Sequence, residues 1–540
     1  MGALDKTTVG ETTAGENLAK AALLITAVSF FNKFLGLLRE SALAAYFGAT
    51  YESDAYKLAV SIPGILLSIL SVSIATTFIP VYSEWVKTKS REQVGYFTNN
   101  VFNIVALLSI VLTGLGFAIS PYIVGILARG FDTGAYLLTL KLTQITMASI
   151  VFTALYNLSS GFVQANKRFF TPVFAWTVCD LLVFGALILF HGRGIEAVTV
   201  VTTFAMIGML LVQIPAVVRS GYSFRPVVDF REEGVKKIAR LIIPVTISSL
   251  FNQLYVFIDR MLASGLDEGS ISALDYANRI NSLVYNIFIV SIITVVFPNL
   301  SFQAGETAKF KKTLVKAIRV ICLMAFPGMA LLFVLRAPIV RILFERGAFD
   351  ARDTGMTAAA LGCYALSIIG VGLREILNRA FYALQDTKAP VVNGILVIAV
   401  NIAMSLVFVR FWGIGGLAAA VSLSALISGL LLWAGLRRKM GPMEGRKLLA
   451  SVAGMLFSAV AAGAAAYLCS RLLDTALPGE ALAVQAVRLA ACGGAGCAVY
   501  VGLLHIMKIE ELRIVTGMAK SHAAKLAGRL GRISASGDIE

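Results

Sequence analysis

The chain has 540 residues, 58% of them hydrophobic and only 14% charged, with a mean hydropathy of +0.81. No soluble domain of this size needs so much apolar surface, so the soluble classes are excluded. The net charge of +16 would suit a nucleic-acid binder, but the basic residues gather in alternate short loops between apolar stretches, which is a topology signal instead.

Residues 1–17 are polar, rich in Thr, Gly and Glu, and are expected to form a flexible cytoplasmic arm. Apolar stretches follow at 20–47, 54–85, 97–128, 134–165, 169–191, 195–218, 237–264, 271–300, 313–335, 354–384, 389–411, 414–436, 447–470 and 482–506. Each has the ~20 residues that a helix needs to cross the hydrocarbon core. The first is no cleaved signal peptide, because it is too long and contains Lys33, Arg39 and Glu40. The short alternating segments of a β-barrel are absent. The expected fold is therefore an all-α polytopic membrane protein with about fourteen transmembrane helices.

Basic clusters occur at Lys87, Lys89 and Arg91, at Lys167 and Arg168, from Arg219 to Lys237, at Lys309, Lys311 and Lys312, and from Arg437 to Lys447. The loops at 48–53 and 265–270 have no Lys or Arg. Basic loops stay inside, so both termini are expected in the cytoplasm. Arg336, Arg341, Arg346 and Arg352 fall on the expected outer side and break the pattern. They read either as an interfacial amphipathic segment or as a miscounted span.

A six-helix unit occurs twice. Phe31-Asn32-Lys33 recurs as Phe251-Asn252-Gln253, Leu38-Arg39-Glu40 as Ile258-Asp259-Arg260, Asp54-Ala55-Tyr56 as Asp275-Tyr276-Ala277, and Phe78-Ile79-Pro80 as Val296-Phe297-Pro298. Thr171-Pro172-Val173 and Gly194-Ile195 return as Ala389-Pro390-Val391 and Gly413-Ile414. Six spans is an even number, so the repeats are parallel, and duplicated halves are the usual build of a transporter. An N-lobe is assigned to residues 18–220 (spans one to six) and a C-lobe to 221–440 (spans seven to twelve). Residues 441–507 hold two further spans rich in Ala and Gly, suited to close helix packing or a lipid-facing groove. The tail 508–540 alternates apolar and basic residues and reads equally as a surface-lying or a solvated helix.

Ionisable groups at membrane depth are costly, so each calls for a reason. Asn32 and Arg39 share a helix face, with Lys33 and Glu40 beside them. Arg279 lies one turn from Ser282 and two from Ser272. Asp54 reads either as a cap on the second helix or as a functional acid. Glu375 and Arg379, at i,i+4, are expected to pair. Lys33, Arg39 and Arg279 outnumber the nearby acids, and such a cationic cavity would suit an anionic, phosphate-bearing substrate. Lys33, Arg39, Glu40, Asp54, Ser272 and Arg279 are thus the candidate substrate site. Asp259 and Asn401, with Ser405 or Ser422, are candidates for holding Na⁺ or relaying a proton, although Asp259 also fits a pair with Arg260 or Arg279. The six cysteines and three histidines show no metal spacing, and no G-x-x-x-x-G-K-[ST] loop is present. Neither a paired-acid site nor a large extramembrane segment speaks for an enzyme.

The runs Phe34-Leu35-Gly36-Leu37-Leu38-Arg39-Glu40, Phe47-Gly48-Ala49, Ser53-Asp54-Ala55-Tyr56 and Phe78-Ile79-Pro80 resemble the MurJ/MviN family of lipid II flippases, within the multidrug/oligosaccharidyl-lipid/polysaccharide exporter superfamily. The resemblance continues at Tyr276-Ala277-Asn278-Arg279, from Tyr382 to Pro390 and at Gly415-Gly416-Leu417-Ala418, and covers nearly the whole chain. It implies two lobes around a cationic cavity. Alternating access would move lipid II, an undecaprenyl-pyrophosphate-linked peptidoglycan precursor, from the inner to the outer leaflet. By the same resemblance Arg39 and Arg279 match arginines of the first and eighth spans, Asp54 matches a family aspartate, and Lys33 stands where arginine is frequent. Leu66-Leu67-Ser68 and Ser282 depart from members with charges there. The two extra spans imply a groove for the polyprenyl tail. The implied partners are lipid II and the bilayer of a bacterial inner membrane; nucleic acid is not one, and no protein partner follows from the residues. No cofactor is implied beyond Na⁺ or H⁺ coupling. The alternative is an exporter of another polyprenyl-linked saccharide, or a cation-coupled drug antiporter.

Overall fold

The computed structural model describes residues 5–68, 71–443, 445–479, 481–509 and 511–512. Long apolar segments can satisfy their own backbone groups only as helices, and no strand occurs among the described residues. In chain order the helices are α1 (Asp5–Phe47), α2 (Tyr51–Leu67), α3 (Ser71–Thr88), α4 (Arg91–Leu127), α5 (Thr133–Met147), α6 (Ser149–Ala165), α7 (Phe170–Phe190), α8 (Ile195–Arg219) and α9 (Glu233–Ser264). Then come α10 (Ser270–Tyr285), α11 (Ser291–Phe302), α12 (Thr307–Val334), α13 (Arg336–Phe344), α14 (Ala351–Ala365), α15 (Ser367–Ala383), α16 (Lys388–Met440), α17 (Gly445–Ala476) and α18 (Leu482–Ile506).

Among the described residues, nine helical segments are long and apolar enough to cross a membrane, or ten if α5 and α6, bent by 41°, form one span. The 53-residue α16 is two helices joined at Gly413, whose φ of 50° and ψ of −126° break the helix. This architecture is compatible with the fourteen expected spans. Residues 5–17, read from sequence as an arm, are the first turns of α1. Of the expected tail, residues 513–540 lie outside the described residues. The arginines that break the positive-inside pattern begin at α13, a separate helix of 9 residues.

The sequence repeat is written into the backbone. α5 and α14 both have 15 residues, and α6 and α15 both have 17. Asp132 Oδ1 accepts from the Ala135 N–H to start α5, and Asp350 Oδ1 accepts from the Asp353 N–H to start α14. Lys167 and Gln385, at one repeat position, both have positive φ, 62° and 57°. Gly194 opens α8 at φ 83°, and its echo Gly413 makes the break in α16.

Packing divides the chain into two compact units, Met1–Tyr276 with Phe344–Asp353, and Ala277–Leu343 with Thr354–Glu540. The first unit includes α9, which packs on α3 and α4. The basic linker before α9 is tied to α4 by asparagines. Asn99 Oδ1 accepts from the Arg225 N–H at 2.7 Å, and Asn103 Nδ2 donates to the Arg225 and Val227 carbonyls. Leu43, Phe47, Tyr56, Leu142 and Val198 form one buried cluster of this unit. In the second unit α12, α17 and α18 meet around Leu335, Ala466 and Cys492. Lipid is as apolar as leucine, so close fit holds such helices together. A Cβ on Gly496 would lie 2.6 Å from Leu331 and 3.1 Å from the Ala462 carbonyl, so small residues set this approach.

Candidate functional site

Asn32 and Arg39 present one face of α1 to α7. Asn32 Nδ2 donates to the Val173 carbonyl at 2.9 Å, and its Oδ1 accepts from Thr177 Oγ1 at 2.5 Å. Two turns on, Arg39 Nη1 donates to Asp180 Oδ1 at 2.6 Å. Positions 173, 177 and 180 form one stripe of α7 at helical spacing. Arg39 Nη2 also donates to Glu40 Oε1 at 3.0 Å, while Glu40 Oε2 accepts from Lys57 Nζ at 2.9 Å. The Lys57 ammonium stands 3.7 Å from the centre of the Tyr276 ring. Asp180, Arg39, Glu40 and Lys57 thus alternate in sign along one chain of contacts. The expected excess of cations over acids therefore does not hold at Arg39, because Asp180 arrives from a helix 141 residues away. The sequence reading selected neither Asp180 nor Lys57. The available signal was that each is an ionisable group inside an apolar stretch. Lys33 is exposed on α1 and has no ion pair among the described residues.

Asp54 does not cap its own helix. At the start of α2, Ser53 Oγ accepts from the Thr50 N–H at 3.0 Å. Asp54 reaches instead to the start of α10, where Oδ2 accepts from the Gly269 N–H at 2.9 Å and Oδ1 from the Ser272 N–H at 2.7 Å. Ser272 Oγ donates to Ser53 Oγ at 2.9 Å. The exchange is reciprocal, since Glu268 Oε1 accepts from the Tyr51 N–H at 2.9 Å. Every helix start carries N–H groups without intrahelical acceptors and a partial positive charge. Here each start is met by an acid from the other repeat.

The segment 344–353 completes this junction. The Ala348 N–H donates to the Ala45 carbonyl at 2.8 Å, Arg346 Nη2 to Ser41 Oγ at 2.7 Å, and the Ala49 N–H to Asp353 Oδ2 at 2.8 Å. Phe344 and Phe349 pack on the buried Tyr276 ring, whose hydroxyl donates to the Gly48 carbonyl at 3.2 Å. A Cβ on Gly269 (φ +87°) would lie 1.9 Å from the Ala49 carbonyl oxygen, and one on Gly347 (φ +62°) 2.2 Å from that of Ala45. Only glycine fits either place.

Asp259 and Arg260 occupy the repeat positions of Arg39 and Glu40. Arg260 Nη2 bonds both oxygens of Asp275, at 2.8 and 3.0 Å, so its partner is Asp275 rather than Asp259. Asp259 Oδ1 is buried without a hydrogen-bond partner among the described residues. These residues belong to the first unit; the other ion candidates belong to the second. There Asn401 Nδ2 donates to Ser424 Oγ at 3.0 Å, Ser422 Oγ to the Cys363 carbonyl at 2.7 Å, and Ser405 Oγ is buried without a partner. Asn401 thus pairs with Ser424, not with Ser405 or Ser422. Arg279 is half-buried, with no hydrogen bond or ion pair among the described residues. The expected Glu375–Arg379 pair is not formed. Glu375 lies 3.6 Å from Arg374, and Arg379 stacks 5.2 Å from the centre of the Phe297 ring.

The second unit also holds an apolar cavity of about 460 Å³, lined by Phe288, Leu323, Met324, Leu331, Tyr500 and Leu504 among others. Of the last two helices, α18 lines it.

Residues 43–486 match the model of the lipid II flippase MurJ family. The chain belongs to that family. The lipid II flippase MurJ of Burkholderia cenocepacia is 29% identical over 436 residues, 78% of this chain and 84% of that protein. The probable lipid II flippase MurJ of Vibrio cholerae is 27% identical over 529 residues, 94% of this chain and 99% of its own. A solved MurJ structure, a lipid II flippase in an inward closed conformation, is 26% identical and superposes with a TM-score of 0.77, covering 91% of this chain and all of that one. A multidrug transporter of the MATE family in an inward-facing conformation is 15% identical with a TM-score of 0.62, covering 78% of this chain and 99% of its own; it shares the fold alone.

Proposed function

We propose that this chain is a lipid II flippase of a bacterial cytoplasmic membrane, a transporter rather than an enzyme. It would carry the polyprenyl-diphosphate-linked precursor from the inner to the outer leaflet by alternating access. The observation that carries this reading is the family match across residues 43–486, together with lipid II flippases that align over most of both chains. The basic loops favour both termini inside.

A diphosphate cannot cross hydrocarbon unaided, because stripping water from its charges is too costly. Fixed cations must replace that water. Lys33 and Arg279 supply net charge, since neither is neutralised by a described acid. Arg39 supplies oriented donors, held on α7 by Asp180. A guanidinium has five N–H groups, and the two partners of Arg39 leave some of them for phosphate oxygens. Glu40, Asp54 and Ser272 act one step back, Glu40 by tying Arg39 to Lys57 and the other two by holding the junction. The apolar cavity beside α18 suits the polyprenyl tail. Coupling to Na⁺ or H⁺ would rest on Asp259 in the first unit or, separately, on the group of Asn401, Ser405 and Ser422 in the second. Its support is that Asp259 Oδ1 and Ser405 Oγ are buried and lack a protein partner.

The test is complementation. A bacterium depleted of its own flippase receives this chain, and lipid II exposed outside is measured beside protein abundance. Restoration is expected. Arg39→Ala and Arg279→Ala should each abolish it at normal abundance, with Arg→Lys partly active. Failure of the unmodified chain to restore outer lipid II, while present in the membrane, would overturn the reading.

A further inference from the structure

α17 ends at Ala476 and α18 begins at Leu482, and a cavity of about 250 Å³ opens beside these two ends and α13. Arg341, Arg471 and Arg488 line it with Ser470 and Leu489, and among the described residues one acid, Asp474, does so too. Arg488 reaches Asp474 only at 3.4 Å, and its Nε–H is buried with no acceptor among the described residues. Arg471 gives its Nε–H to Tyr467 Oη at 3.1 Å, and its terminal nitrogens have no partner among the described residues. A buried donor without an acceptor is rare and asks for an occupant. The first two turns of α18 supply Gln485, Arg488 and Leu489 to the lining, so the positive end of that helix adds to the field.

The neighbouring positions of the two helices are different in kind. Tyr467, Leu468 and Leu472 of α17 and Leu482 and Val487 of α18 are large apolar side chains left exposed. In a membrane-spanning pair they meet acyl chains. A cationic cavity on helices that also expose large apolar side chains fits an anion that carries hydrocarbon. We infer that this cavity binds the headgroup of an anionic phospholipid, its phosphate held by Arg471 and Arg488. A forked guanidinium matches phosphate oxygens, and two of them offset its charge. A glycerol headgroup adds hydroxyls that donate to the Asp474 carboxylate, whereas a choline headgroup brings a further cation beside Arg471 and Arg488 and has no such donor. The site takes no part in holding the transported diphosphate, and it stands whether or not the flippase reading does.

The whole chain, purified in detergent, is titrated with phosphatidylglycerol, with phosphatidylcholine and with inorganic phosphate, and bound lipid is counted by native mass spectrometry. Phosphatidylglycerol is expected to bind and phosphatidylcholine to bind far more weakly. Arg471→Ala with Arg488→Ala should weaken phosphatidylglycerol binding about a hundredfold, about tenfold per arginine. The same change at Arg437 and Arg438, in the last turn of α16, should leave it as it was. Thermal unfolding of each variant is followed in parallel. If the alanine pair does not fold, Arg471→Lys with Arg488→Lys is read instead and should bind at an intermediate strength, because charge stays and the fork is lost. Equal binding of the two lipids, unchanged binding by the variants, or displacement of the lipid by an equal concentration of inorganic phosphate would each overturn the assignment, the last in favour of a free anion.

Discussion

Replacing Asp54 with alanine should loosen the junction between the starts of α2 and α10. Asp54 accepts two backbone N–H bonds, at 2.9 and 2.7 Å, and is buried at 2% exposure. Hydrogen bonds to a charged group are worth about 1.5–3 kcal/mol each, so the pair contributes roughly 3–6 kcal/mol before costs. Taking a carboxylate out of water costs several kcal/mol, and that cost disappears with the side chain. A net loss of about 2 kcal/mol remains, which is about thirtyfold in the closed-to-open ratio of the junction. Hydrogen exchange followed by mass spectrometry reads it directly, because the Gly269 and Ser272 amides are the donors. Their exchange should quicken by about that factor, while the amides inside α7 should not change. Asp54→Asn keeps the shape and one good acceptor, so it should fall between the two. If exchange at Gly269 and Ser272 is unaltered in a folded Asp54→Ala protein, the other links of the junction hold it, and the capping argument is wrong.

Gly269→Ala should destabilise far more than Gly221→Ala in thermal unfolding. Both glycines have positive φ, which costs an alanine about 1–2 kcal/mol, but only the Cβ at 269 would strike a backbone oxygen, whereas that at 221 meets nothing within 4 Å. Asp386, in the turn before α16, accepts from Lys439 Nζ at 2.6 Å, and that bond with the Ala389 N–H holds its pKa below the usual aspartate range. A depressed carboxyl stabilises above its unfolded pKa of about 3.9 and loses that effect as pH falls through the lower folded value. Asp386→Asn should therefore lower the melting temperature slightly at pH 7, with the difference vanishing in acid below pH ~4. Asp259→Asn should change how transport responds to sodium and proton gradients in reconstituted vesicles; an unchanged response removes Asp259 from coupling.

Periodicity and the repeat made much of this architecture legible. The α1 face carrying Asn32 and Arg39 was readable because both residues lie on one helix, two turns apart. The equality of α5 with α14 and of α6 with α15 follows from a repeat visible in Thr171-Pro172-Val173 and Ala389-Pro390-Val391. Partnerships across long separations were not readable. A lone Asp180 in the seventh helix gives no sign that Arg39 is its partner. Asp54 looked like a cap, and it is one, but for the helix that starts 216 residues later. Sequence shows that a helix start needs an acceptor; only packing decides which acid arrives. Glu375 failed the i,i+4 expectation because such pairs are weak, and a neighbouring guanidinium or an aromatic ring competes on equal terms.

The junction around Gly48, Gly269 and Gly347 joins main-chain carbonyls and N–H groups to a few side chains, Asp54, Asp353, Glu268 and Tyr276 among them. These donors and acceptors are already bonded to one another, so the seam carries no information about what passes. It can be firm or loose, but it cannot choose. On the proposed function, recognition of the charged headgroup is expected from side chains such as Lys33, Arg39 and Arg279. Changes of cargo and changes of opening rate should accordingly arise from separate sets of substitutions, and a variant selected for a new cargo should leave those three glycines untouched.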